Sequence, residues 1–178
     1  MNTTANKITI ARIALIPVFM VLLYRDYTFW ALLIYVIACC SDFIDGYVAR
    51  HYNQITDFGK FVDPLADKML VLSAMCIFIE KGLMPGWAVA VVLLREFAIS
   101  GLRLVAVEQG KVIAAAFSGK VKTFTTMVAL GVLIIVRESW VPFPRFLTVL
   151  ATVCILGTTL YSGAEYFIKN INVFKRCS

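Results

Sequence analysis

Four aspartates in two pairs carry the strongest chemical signal in this chain. In the segment SDFIDGYVARHYNQITDFGKFVDPLADK, residues 41–68, Asp42 and Asp45 stand three apart and Asp63 and Asp67 four apart. On a helix either spacing places both carboxylates on one face. The connection at about 51–62 is short enough to make the flanking helices antiparallel neighbours, so the four carboxylates are expected to converge. Like charges gathered near a membrane must be protonated, paired with cations or bound to metal. Only metal binding uses all four. Carboxylate oxygens are hard donors that suit Mg²⁺ or Mn²⁺, and neither a second histidine nor a thiolate set offers zinc a site. His51, the lone histidine, reads as an interfacial polar residue.

The residues between the acids fit a bulky ligand. Gly46 and Ala49 fall on or beside the face of Asp42 and Asp45, and Gly59 precedes Asp63 by one helical turn, which leaves room at the backbone. Arg50 offers a planar fork for phosphate oxygens. A phosphate-bearing ligand beside divalent ions is the chemistry indicated. Taken singly, these residues have plainer readings, as helix caps or as close helix packing. Asp26 and Asp57 have no partner at helical spacing and read as ordinary loop residues.

A second charged group lies further along. Arg95 and Glu96 interrupt an otherwise apolar run, and charge at that depth normally faces a bundle interior. Arg95 and Arg103, two steps of four apart, share nearly one stripe, and Lys120 shares a face with Thr123 while Lys122 is expected to be more exposed. For the two lysines, plain anchoring at the cytoplasmic membrane surface is the competing reading.

The elements that must position these residues are membrane helices. The chain has 178 residues, 61% of them hydrophobic, with a mean hydropathy of +0.84, well above the roughly half-apolar make-up of soluble domains. Apolar runs at 8–24, 29–42, 69–79, 87–107, 123–136 and 146–168 predict an all-α integral membrane protein with six transmembrane helices in a single domain, 1–178. Arg25, Asp26 and Tyr27 follow the first run where a leader would carry a small-residue cleavage site, so that run is expected to stay as a span.

One set of connections holds Lys7, Arg12, Arg50, Lys60, Lys111, Lys120, Lys122, Lys169, Lys175 and Arg176; the other holds only Arg25, Lys81, Arg137 and Arg145. This asymmetry predicts a multi-pass protein of the cell membrane with both termini cytoplasmic. The sequence pI of about 9.2 then speaks for anionic membrane lipids as partners, and against nucleic acid. The five cysteines, without a CxxC pair, read as small apolar filling rather than disulfides or a metal site.

Written out, Asp42-x2-Asp45-Gly46-x2-Ala49-Arg50-x8-Gly59-x3-Asp63-x3-Asp67 resembles the signature of the CDP-alcohol phosphotransferase family. The resemblance implies six membrane helices, a polar cavity open to the cytoplasm and a homodimer. It also implies that Asp42, Asp45, Asp63 and Asp67 hold two divalent ions, that Gly46, Ala49, Arg50 and Gly59 shape the CDP pocket, and that Asp67 is the general base.

Further segments are similar to bacterial members whose acceptor is glycerol 3-phosphate: residues 6–12, Ile16-Pro17, Arg95-Glu96-Phe97, Ser100-Gly101-Leu102-Arg103 and residues 119–123. The expectation is transfer of the phosphatidyl group of CDP-diacylglycerol to glycerol 3-phosphate, with CMP leaving. Arg95, Arg103, Lys120 and Lys122 are then the candidates for holding the acceptor's phosphate. The alternatives are serine, an inositol phosphate or another lipid as acceptor, or a divalent-cation transporter built on the same carboxylates.

Overall fold

The apolar runs become six helices: α1 Thr4–Tyr24, α2 Thr28–His51, α3 Asp57–Glu80, α4 Gly86–Glu108, α5 Phe117–Ile135 and α6 Pro144–Lys169. The structure is a computed structural model. It describes the backbone at residues 4–51, 57–108, 116–138 and 140–170, and side chains at 10–41, 66, 68–106, 116–138 and 140–170. Among these residues there is no strand.

The helices outrun the apolar runs most where the chemistry lies. Hydropathy marks where a helix leaves the hydrocarbon, and a helix continues past that point as long as its backbone bonds are made within it. So α2 carries on through Asp42 and Asp45 to His51, and α3 already begins at Asp57, the residue expected in a loop.

Two of the connections end their helices in the same way. After α1, Tyr27 N–H donates to Leu22 O at 2.9 Å and Asp26 N–H to Leu23 O at 3.3 Å; after α3, Leu83 N–H donates to Phe78 O at 2.9 Å and Gly82 N–H to Ile79 O at 3.0 Å. This paired closure needs a left-handed residue just past the helix. Gly82 takes that role at φ 69°, without a Cβ penalty, and Asp26 takes it at φ 60°. The Asp26 carboxylate accepts a hydrogen bond from Lys81 and lies 3.4 Å from Arg137 Nη1. The α1–α2, α3–α4 and α5–α6 connections are thereby tied together at one end of the bundle. Asp26 is more than the plain loop residue its spacing suggested.

α1 packs against both α2 and α3, while α5 packs mainly on α6 and also touches α2 and α3; α4 leans on α6. Tyr35 on α2 adds a cross-link, its hydroxyl donating to Met127 O on α5 at 3.0 Å. Phe19, Tyr35, Leu70, Phe78, Leu130 and Leu133 meet in the main core. Over their described residues α2 and α3 meet α1 more than each other. The expected approach of their aspartate-bearing ends falls on side chains outside the described residues.

The outer faces are apolar as well: Phe29, Leu94, Phe97, Phe124 and Val153 are all exposed. Helices apolar on both their inner and outer sides suit a hydrocarbon surround. By length and composition α5 and α6 are long and apolar enough to cross a membrane, and Ile10–Tyr24 and Thr28–Ser41 are shorter apolar stretches within α1 and α2. Of the cysteines, Cys40, Cys76 and Cys154 are exposed on these faces rather than filling the core, and none of the four described forms a disulfide.

Candidate functional site

The charged residues of α4 and α5 gather around a cavity of about 570 Å³. Arg95, Ser100 and Arg103 line it from α4, Gly119, Lys120 and Thr123 from α5, Ser162 and Tyr166 from α6, and Lys68 from α3. Lys68 directly follows Asp67, so the cavity's α3 wall is a continuation of the helix that bears an aspartate pair. A larger hollow of about 750 Å³ opens between Gly82 and Thr148 at the other end. It begins roughly 20 Å further along α3 than Asp67, by helical rise, too far for its Arg137 and Arg145 to serve the same reaction.

Inside the bundle, one carboxylate organises two cations. Glu96 Oε1 accepts from Arg95 Nη1 at 2.8 Å and from Lys122 Nζ at 2.7 Å, and Arg95 Nη2 reaches across to Ser162 Oγ on α6 at 3.0 Å. α4 and α6 cross closely at Gly163, where an added Cβ would stand 3.3 Å from Arg95 Cγ, tighter than ordinary contact. The internal pairing expected of Arg95 is therefore present.

The expectation for the two lysines is reversed. Lys122 is buried, on the α5 face that also carries Ser118, Thr126 and Leu133, whereas Lys120 is exposed at the cavity wall. The physical reason is the Glu96 carboxylate, which offers a buried ammonium a partner that spacing along α5 alone does not reveal. Arg12, assigned to a connection by the charge count, is likewise buried on α1.

At the cavity wall Arg103 Nε donates to the Tyr166 hydroxyl at 2.9 Å, and Lys68 Nζ donates to Ser100 Oγ at 2.7 Å. The two terminal nitrogens of Arg103 and the Lys120 ammonium have no partner among the described residues. Lys68, Ser162 and Tyr166 were missed as site residues. The position of Lys68 next to Asp67 was a usable signal; Ser162 and Tyr166 sit in an apolar run and gave none.

Asp42 and Asp45 lie on α2 and Asp63 and Asp67 on α3, so each pair keeps the helical spacing that places it on one face. Gly46, Ala49 and Arg50 follow on α2, and Gly59 falls within the first turn of α3 rather than in a loop. The side chains of all these residues lie outside the described residues, and so does their expected convergence. As a donor set, two aspartates on each of two helices fit hard divalent ions such as Mg²⁺ or Mn²⁺.

The family model of CDP-alcohol phosphatidyltransferase matches residues 2–164. The chain belongs to the CDP-alcohol phosphatidyltransferase family. Among curated members, the CDP-diacylglycerol–glycerol-3-phosphate 3-phosphatidyltransferase of Bacillus subtilis (strain 168) is 41% identical over 187 residues, covering 96% of each chain. A probable phosphatidylglycerophosphate synthase of Mycobacterium tuberculosis (strain ATCC 25618 / H37Rv) is 35% identical over 173 residues, 93% of this chain and 80% of the relative. The CDP-diacylglycerol–glycerol-3-phosphate 3-phosphatidyltransferase of Escherichia coli (strain K12) is 41% identical over 145 residues, 76% of this chain and 79% of the relative.

Proposed function

We propose that the protein transfers the phosphatidyl group of CDP-diacylglycerol to glycerol 3-phosphate, giving phosphatidylglycerol phosphate and CMP. The choice of acceptor rests on one observation above all: the cavity beside the aspartate helix presents Arg103 and Lys120 without carboxylate partners among the described residues. An uncharged acceptor gives those cations nothing to bind. The names carried by the relatives, two of them 41% identical, support the same reading.

In this reading Arg103 and Lys120 hold the acceptor's phosphate and so aim its far hydroxyl at the diphosphate of the CDP-lipid, replacing a chance encounter with alignment. Asp67 takes the hydroxyl proton as that oxygen attacks the phosphorus bearing the diacylglycerol, and CMP departs. Asp42, Asp45, Asp63 and Asp67 are the residues that would hold two Mg²⁺ or Mn²⁺ ions, which supply charge stabilisation for the diphosphate and the leaving CMP. Gly46, Ala49, Arg50 and Gly59 shape the CDP pocket. Arg95, at the cavity wall, and Lys122, behind it, are both engaged by Glu96, which fixes α4 against α5 and α6.

The proposed setting is a six-span protein of the cell membrane, with both termini and the cavity facing the cytoplasm, where a soluble phosphorylated acceptor is found. The Asp26 tie supports it, because it collects Lys81 and Arg137, residues of the sparsely basic connections, at one end. A homodimer is part of the same proposal. The test is CMP release by the purified, detergent-solubilised protein. Release should need CDP-diacylglycerol, glycerol 3-phosphate and a divalent ion together; release at the same rate without glycerol 3-phosphate sinks the reading.

A further inference from the structure

Tyr166 is an odd residue for its place. The residue is 3% exposed and packs with Ile99, Leu102 and Ala106 of α4 in a small apolar cluster separate from the main core. A leucine or phenylalanine would fill that space, yet the residue carries a hydroxyl, and the hydroxyl emerges at the cavity wall beside Arg103. It accepts the Arg103 Nε–H at 2.9 Å, and the guanidinium carbon stands 5.5 Å from the ring centroid, within cation–π range.

The tyrosine itself is held firmly. It lies in the last turn of α6, and Asn170 closes that turn with its side-chain Nδ2 donating to Tyr166 O at 2.8 Å and its backbone N–H donating to the same oxygen at 3.2 Å.

We propose that Tyr166 is a positioning residue for Arg103: it occupies Nε so that both terminal nitrogens of the guanidinium present a two-pronged face to the acceptor's phosphate. The inference rests on the acceptor site proposed above. An arginine on an exposed helix face samples many rotamers, and each must be given up when it binds an anion. Engaging Nε in advance restricts the side chain without using the two parallel N–H groups that match a phosphate. Fixing the fork before the ligand arrives lowers the ordering cost of binding. The effect should fall on the acceptor alone, because nothing in the contact involves the CDP-lipid residues.

The test is steady-state kinetics of the full-length purified protein, with each substrate varied in turn, for Tyr166→Phe, Arg103→Ala and the double variant. Tyr166→Phe keeps the buried ring and removes one hydrogen bond. It should raise KM for glycerol 3-phosphate about three- to ten-fold, leaving kcat and the KM for CDP-diacylglycerol unchanged. Arg103→Ala should raise the same KM by about ten- to a hundred-fold, and adding Tyr166→Phe to it should change nothing more.

An unchanged acceptor KM in Tyr166→Phe, with Arg103→Ala still impaired, overturns the positioning role alone. So does a tyrosine effect that persists in full without Arg103, which would mean the hydroxyl acts by itself, and so does an equal loss for both substrates, which would mark a packing defect. A normal acceptor KM in well-folded Arg103→Ala overturns the acceptor site, and the role of Tyr166 with it.

Discussion

Lys122 Nζ on α5 lies 2.7 Å from Glu96 Oε1 on α4, and the oxygen that receives it also receives Arg95. A single half-buried carboxylate thus engages two of the four cations that the sequence offered for the acceptor's phosphate. Arg103 and Lys120 have no carboxylate partner among the described residues, and Lys68 lines the same cavity.

The lysines should therefore separate cleanly in mutagenesis. Lys122→Met removes a charge-assisted bond and should cost about 1.5–3 kcal/mol of stability. Glu96→Ala leaves the buried Lys122 and the half-buried Arg95 without their carboxylate and should cost more, about 3–5 kcal/mol. Lys120→Ala should leave thermal unfolding nearly unchanged and raise KM for glycerol 3-phosphate. Unfolding in detergent and acceptor kinetics read the two effects; a Lys120 variant that loses stability with a normal KM reverses the assignment.

For the aspartates the expected outcomes differ by position. Asp42→Asn, Asp45→Asn and Asp63→Asn replace a charged ligand with a neutral amide, so divalent-ion binding and activity should fall together. Asp67→Asn should lower kcat by about 10²-fold or more while CDP-lipid binding partly survives, the usual size of a general-base contribution. Unchanged turnover of the Asp67 variant at saturating metal removes that role.

Asp26 gives a pH-dependent prediction at the opposite end. The hydrogen bond from Lys81 holds its carboxyl below the ordinary value of 3.8, against the opposing effect of burial and with the Lys81 and Arg137 charges adding in the same direction as the bond. A depressed folded-state pKa means stability that is fully present above 3.8 and is lost as pH falls through the lower folded value. Asp26→Asn tolerates the left-handed backbone and removes only the charge. The variant should be less stable at pH 7 by at most about 1 kcal/mol, since the site is largely exposed, and the gap should narrow as the pH falls below 3.8. Thermal unfolding across that pH range measures it, and a gap that widens in acid contradicts the ion-pair account.

Topology is open to a direct check. Reporters fused after Lys169 and between residues 111 and 117 should both report cytoplasm. An external reading from either breaks the six-span arrangement, because the acceptor then has no route to the cavity.

What was legible in the sequence follows from how local each signal is. Six helices were readable from apolar runs, and the family from eight residues at fixed spacing, Asp42 to Asp67. Helix ends were not, since polar residues such as Asp57 and Gly59 continue a helix that hydropathy no longer marks. The partners of each charge were not readable either. Lys122 turns inward because Glu96 stands across from it on another helix, and Asp26 matters because Lys81 and Arg137 are brought to it by folding. Tyr166, inside an apolar stretch, reveals its polar end only once Arg103 is beside it.

The central claim is the identity of the acceptor, and one competition assay addresses it most directly. The purified protein is given CDP-diacylglycerol, a divalent ion and an equimolar mixture of glycerol 3-phosphate, serine and an inositol phosphate, and the lipid products are identified by mass. The account predicts phosphatidylglycerol phosphate as the dominant product, with CMP released in equal amount, and a selective loss of that product in Arg103→Ala. A dominant phosphatidylserine or phosphatidylinositol phosphate, or no lipid product at all from folded protein, would contradict it.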